Sequence, residues 1–108
     1  MTDVVVVLTT VPAGGKGEEI GRTLVEERLA ACVNVLAPMT SIYRWRGAVE
    51  HESEQQVIIK TTRNRVPALQ ARLGALHPYE LPEFLELTVA DSNSAYLAWV
   101  VDATSEEK

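Results

Sequence analysis

Chemistry in this chain would have to be built from two histidines, one cysteine and a run of carboxylates near its middle. His51-Glu52-Ser53-Glu54 lacks the second histidine of an H-E-x-x-H zinc helix. Neither C-x-x-C nor G-x-x-x-x-G-K-[ST] nor G-x-S-x-G occurs, so dithiol redox, P-loop and serine-hydrolase chemistry have no motif here. Gly14-Gly15-Lys16-Gly17 lies between a strand signal and a helix signal, where a helix N-terminus can receive an anion. The phosphate motif is incomplete, and a flexible connector is the preferred reading. Cys32 is a nucleophile or soft metal ligand by type, but beside Ala30, Ala31 and Val33 it reads first as a small buried hydrophobe. His77, directly before Pro78, has two readings: an imidazolium favoured by a helix C-terminal dipole, and a ligand.

An alternating set of aromatics and acids carries more information. Ser41, Tyr43 and Trp45 recur with period two in one β-forming stretch, and Glu50, Glu52 and Glu54 do so in the next. Gly47-Ala48 between them suits a two-residue II′ turn. That turn pairs Trp45 with Glu50, Tyr43 with Glu52 and Ser41 with Glu54, all on one face. Arg44, Arg46 and His51 fall on the other, with His51 solvated at the tip. Such a ribbon has no core of its own, and an isolated two-stranded ribbon is marginal in water, so pairing with another chain is expected.

The elements that must position these residues follow from periodicity. Val4 to Leu8 is a β-branched run read as a strand buried on both faces. From Lys16 to Ala31, Ile20, Leu24, Val25 and Leu29 recur at helical spacing, with Glu18 and Glu19 early and Arg28 late to suit the dipole; Gly21 weakens that helix. Cys32 to Arg46 and Val49 to Thr62 form the hairpin arms, which at ~3.3 Å per residue span roughly 45 Å against a diameter of roughly 34 Å for a 100-residue globule. The hairpin should overhang its domain. Pro38 cannot donate to a ladder, so a bulge or split strand is expected between Ala37 and Thr40. Asn64 and Pro67 open a second helix carrying Leu69, Leu73 and Leu76, stopped by His77-Pro78. Phe84 to Ala90 reads as a strand, Asp91-Ser92-Asn93 caps a last helix with Tyr96, Leu97, Trp99 and Val100 on its apolar face, and Thr104 to Lys108 is a frayed tail. The order β-α-β-β-α-β-α gives an α+β ferredoxin-like split β-α-β sandwich with a long β-hairpin and a C-terminal helix.

Composition agrees with one domain spanning residues 1–108. The chain is 46% hydrophobic and 23% charged with a net charge of −5, which excludes disordered and collagenous classes and offers no basic stripe for nucleic acid. A single cysteine makes no intrachain disulfide, Met1-Thr2-Asp3 puts an acid where a signal peptide needs basic residues, and no apolar run approaches ~18 residues. A cytoplasmic protein that neither spans a membrane nor binds nucleic acid is expected.

Five segments then match a family pattern in order. They are Ala31-Cys32-Val33-Asn34, Ser41-x-Tyr43-x-Trp45-x-Gly47-x-x-Glu50-x-x-x-Glu54, Lys60-Thr61-Thr62, His77-Pro78-Tyr79-x-x-Pro82-Glu83 and Tyr96-Leu97-x-Trp99. Together they resemble CutA, the divalent-cation tolerance family, from the first strand to Trp99. The resemblance implies a homotrimer with hairpins packed about the threefold axis, a cleft between neighbours, and an architecture similar to PII signalling proteins. It also implies a non-catalytic role in tolerance of divalent metals, with copper or another divalent cation bound and no organic cofactor. The metal-ligand set it suggests here is Cys32, His77, Glu50 and Glu54. Some members carry a cysteine and a His-His pair where this chain has Thr9 and Leu76-His77. The alternative the resemblance suggests is a PII-like sensor of a small anionic or nucleotide ligand, contacted by Trp45, Lys60 and Tyr79. An acylphosphatase-like enzyme would need a phosphate-cradling loop with an arginine, and Gly14-Gly15-Lys16-Gly17 offers only lysine.

Overall fold

The structure, a computed structural model, describes residues 2–106. Strand β1 (Val4–Pro12) runs past the expected Leu8 because it pairs along its whole length with the later strand β4 (Ala48–Thr62), from Val4 opposite Thr62 to Pro12 opposite Glu54. Helix α1 (Lys16–Glu26) ends well before the expected Ala31. Arg28 takes a left-handed φ of 61°, which turns the chain, so Leu29 is buried as a plug behind the helix and Arg28 lies outside the last turn. Gly21, a weak helix former, is explained by close packing: a Cβ there would meet Val33 Cγ1 at 2.9 Å.

The first hairpin arm is split, as Pro38 requires, into β2 (Cys32–Val35) and β3 (Met39–Trp45). A 3₁₀ turn (Arg63–Arg65) leads into α2 (Val66–Leu76), with Pro67 in its first turn and His77 closing it in extended geometry. Asn64 does not cap α2; its Oδ1 accepts from Thr62 Oγ1 at 2.6 Å instead. Strand β5 (Leu85–Thr88) is shorter than the expected Phe84 to Ala90, and α3 (Ser94–Ala103) is capped by Asn93 Oδ1, which accepts from the Tyr96 backbone N–H at 2.7 Å. The expected fraying does not begin at Thr104. That residue is buried and donates to Val100 O at 2.9 Å, while Glu106 pairs with Arg65 at 2.8 Å; Glu107 and Lys108 lie outside the described residues.

The sheet order is β2-β4-β1-β5, every pair antiparallel, with β3 continuing alongside the other half of β4. This is the ferredoxin-like arrangement. Val7, Val11, Val57 and Ile59 point to one face and pack against Ile20 and Leu24 of α1 and Leu69 and Leu73 of α2. The other face carries α3 at one end only, where Val4, Ala31 and Val100 form a second cluster. The principal extents are 44 × 26 × 24 Å, so the hairpin overhangs its domain as its arm length demands. Among the described residues no helix is long and apolar enough to cross a membrane.

The hairpin turn differs from the expected one. Arg46 and Gly47 both have positive φ, 51° and 83°, which makes a I′ turn one residue earlier than Gly47-Ala48. Trp45 is therefore opposite Ala48, Tyr43 opposite Glu50 and Ser41 opposite Glu52. The pairing shifts by two residues, one full β period, so the aromatics and carboxylates still share a face.

Candidate functional site

Strand β5 pairs only with Val5–Leu8, which leaves the upper half of β1 without a neighbour on that side. The segment after α2 crosses there. His77 Nδ1 accepts from the Tyr79 backbone N–H at 3.1 Å, so Nε2 carries the proton and donates to Thr10 O at 2.7 Å. Both ring nitrogens are thus engaged, and the ring, 8% exposed, fixes the start of the loop to β1. Two residues on, Tyr79 points its hydroxyl at Glu54 and donates to Oε2 at 2.5 Å, a charge-assisted bond to a carboxylate that is itself 7% exposed. Gln56 ties the loop's far end, donating from Nε2 to Thr9 O at 2.7 Å and to Glu83 Oε2 at 3.2 Å.

Between this loop and the hairpin lies a cleft of about 740 Å³. Tyr43 and Trp45 form one wall, Pro78, Leu81 and Pro82 the other, and Glu54, Glu80 and Glu83 supply the charge. Among the described residues no Lys, Arg or His lines it. The Tyr79 phenol is held well above the usual range, first by burial and then by its bond to the Glu54 carboxylate. Tyr43 is raised too, by desolvation and then by the charges of Glu52, Glu54 and Glu50. Both phenols record a negative potential in the cleft.

The residues singled out from the sequence divide. Trp45, Tyr79 and Glu54 line this cleft, and His77 fixes its loop to β1 without lining it. Lys60 does not: six residues further along β4, roughly 20 Å away, it donates to Asn34 Oδ1 at 2.7 Å. Cys32 pairs with Lys60 in the β2–β4 ladder and lies equally far off, and Glu50 stands roughly 13 Å beyond Glu54, opposite Tyr43 and exposed. Within one chain, then, neither the four suggested metal ligands nor the three suggested anion contacts form a single site. Among the described residues no group of three or more His, Cys, Asp or Glu side chains is placed to hold a metal ion. Thr9 is fully buried, and among the described residues its Oγ1 has no hydrogen-bond partner. Sequence reasoning missed Thr10, Gln56 and Glu80. Their roles come from the β1–β4 register and the course of the loop, for which no local pattern exists.

The chain matches the CutA1 divalent ion tolerance protein family over residues 5–103. It is 48% identical over 99 residues to the divalent-cation tolerance protein CutA of Thermus thermophilus, with 92% of this chain and 96% of that protein covered. It is 45% identical over 95 residues to protein CutA of Homo sapiens, there spanning 88% of this chain and 53% of the relative. Its fold superimposes on the crystal structure of CutA from Xylella fastidiosa with a TM-score of 0.93 at 42% identity, over 96% of this chain and 100% of that one.

Proposed function

The chain belongs to the CutA1 family of divalent ion tolerance proteins, and on that premise we propose that it is a non-catalytic cytoplasmic protein that binds divalent cations in the cleft between the hairpin and the 78–83 loop. The observation that carries this is Glu54: a carboxylate more than nine-tenths buried, oriented by Tyr79, in a cleft lined by two further carboxylates, of which Glu80 is paired with Arg46 at the rim. Such a group is costly to bury unless something positive compensates it. The donors that line the cleft are oxygens, among them those of Glu54, Glu83 and Tyr79, which suits hard ions such as Mg²⁺ or Mn²⁺ ahead of copper. Copper binding would have to recruit Cys32 or a freed His77, which one chain does not bring together. Calorimetric titration with Mn²⁺, Zn²⁺ and Cu²⁺ tests the reading. Glu54→Gln should abolish or strongly weaken Mn²⁺ binding, and equal Mn²⁺ affinity in the variant and the wild type would reject it. The cytoplasmic setting rests on the lone thiol, Cys32.

The same proposal includes assembly as a homotrimer. Ile42 and Val49, 73% and 63% exposed near the hairpin tip, and Leu85 and Leu87, 52% and 46% exposed on the sheet face that α3 leaves open, are large apolar surfaces for a soluble chain to present. Sedimentation at micromolar concentration should give three chain masses. A folded species at 11.9 kDa would overturn the trimer.

A further inference from the structure

A histidine ligates a transition metal through a ring nitrogen whose lone pair is free. His77 has none to give. Its Nε2 proton goes to a backbone carbonyl, Thr10 O at 2.7 Å, and its Nδ1 lone pair takes a backbone amide, the Tyr79 N–H at 3.1 Å. A carbonyl only accepts and an amide N–H only donates, so neither partner can reverse its role to release a nitrogen. The ring is 8% exposed and lies against Tyr79, with centroids 4.8 Å apart and planes tilted by 51°. Covering of this surface by further copies of the chain would bury it deeper still.

The two bonds join three pieces of the fold. His77 closes α2, its own N–H donating to Leu73 O at 2.8 Å. Thr10 lies in the part of β1 that β5 does not reach. Tyr79 opens the segment that then runs to Glu83, itself held by Gln56. We infer that His77 of this chain is a fastener and not a metal ligand: a neutral imidazole, protonated on Nε2, that buckles the 78–83 segment to the free edge of β1 and is left untouched by any copper or zinc the protein binds.

The donors that remain point the same way. Cys32 stands opposite Lys60 on β4, and His51 belongs to β4 itself, nine positions away, roughly 30 Å along the strand. His51 is odd-numbered on β4 and Lys60 even-numbered, so the thiol and the second imidazole lie on opposite faces. With His77 committed, no Cys–His pair is left within the chain to take the copper that the family resemblance implies. The inference does not depend on what the cleft binds, because oxygen ligation of Mn²⁺ at Glu54 would leave the imidazole as it is.

Nuclear magnetic resonance on the full chain with ¹⁵N-labelled histidine tests it, with solvated His51 as the internal control. At about pH 8, above the ordinary imidazole range, His77 should show a single tautomer with Nε2 protonated and Nδ1 an acceptor. Excess Zn²⁺ should leave that pattern in place. An Nδ1-protonated ring, or a ring nitrogen of His77 converted to its metal-bound form, would overturn the inference. Two variants, each checked for folding by its melting curve, supply the second arm. His77→Ala should lower the melting midpoint by about 4–8 °C or more, and His77→Gln, which keeps an N–H donor for Thr10 O, should recover part of that loss. His77→Gln should also bind Cu²⁺ and Zn²⁺ within about twofold of the wild type in calorimetry. An alanine variant that melts with the wild type would remove the fastener, and a folded His77→Gln protein weakened about tenfold or more toward either metal would restore the ligand.

Discussion

Residues 48–53 and 54–62 of β4 belong to one unbroken strand, yet they meet different surroundings. The second half lies between β1 and β2 and sends Val57, Ile59 and Thr61 into the core beneath α1 and α2, each almost fully buried. The first half has β3 alone as a neighbour, no layer over either face, and every residue exposed. Backbone pairing is equally regular in both, so hydrogen bonding does not distinguish them. The difference lies in apolar burial: the base of the hairpin is held by its own domain, and the tip offers ring faces, carboxylates and aliphatic side chains for something else to cover.

The largest effect should come from cutting into the base. Ile59→Ala removes a fully buried side chain from the centre of the core and should cost about 2–5 kcal/mol in a urea titration; a cost below about 1 kcal/mol would mean that the base is no better packed than the tip. Next is the tip itself. If three chains clamp the ribbon, Ile42→Ser should lose roughly 1.5–3 kcal/mol per chain and lower the solution mass on dilution, whereas a solvated tip would register almost nothing. The junction between the halves comes third. Tyr79→Phe strips Glu54 of its donor and should cost about 1.5 kcal/mol, the low end for a bond to a charged group, because the cleft is open to water. The pH dependence carries a sign. A phenol held above its ordinary 10.0 contributes stability that is complete below that pH and declines as alkali is added, so the wild type should lose its advantage over Tyr79→Phe in alkaline melts. The smallest effect is on the helix layer far from both. Arg72 bonds Glu27 twice at 2.8 Å and lowers its carboxyl pKa, a contribution present above the ordinary glutamate range and lost as pH falls through the lowered value. Both groups are well exposed, so Arg72→Ala should shift the melting midpoint only slightly at neutral pH, and not at all in acid.

What could be read without coordinates followed the range of the interactions involved. The split at Pro38, the stop at His77-Pro78 and the Asn93 cap are dictated by a few adjacent atoms, and each appears as expected. The end of α1 was not legible, because Arg28 adopts a conformation that favours glycine or asparagine and no side-chain signal announced it. The hairpin turn misled for a related reason: Gly47 marks a turn but fits two turn types, and the choice between them falls on φ at Arg46. Tyr43, Trp45 and Glu54 survived that error because a two-residue slip restores the face. Lys60 and Cys32 were grouped with the site through a family pattern, and position along β4 separates them from it. The loop contacts of Gln56 and Thr10 depend on a register between strands more than forty residues apart in sequence, which one-dimensional patterns do not encode.

The break at Leu36–Pro38 acts on the sheet as a phase shifter. Along β2, Cys32 and Asn34 face even-numbered partners on β4, at Lys60 and Ile58; along β3, it is odd-numbered Met39, Ser41 and Tyr43 that face Glu54, Glu52 and Glu50. Four steps of chain are spent from Val35 to Met39 where β4 spends three from Val57 to Glu54, and that one surplus residue lets the register of β2 and the register set by the Arg46-Gly47 turn coexist along one strand. A connector shorter by one residue would remove that slack and leave both rings where they are, because Tyr43 and Trp45 stay opposite Glu50 and Ala48 and directly opposed residues share a face. The cleft's wall is thus registered from the turn outward: substitution or deletion at Leu36 or Ala37 leaves both rings on the Glu54 side of the ribbon, and the connector absorbs the mismatch with β2.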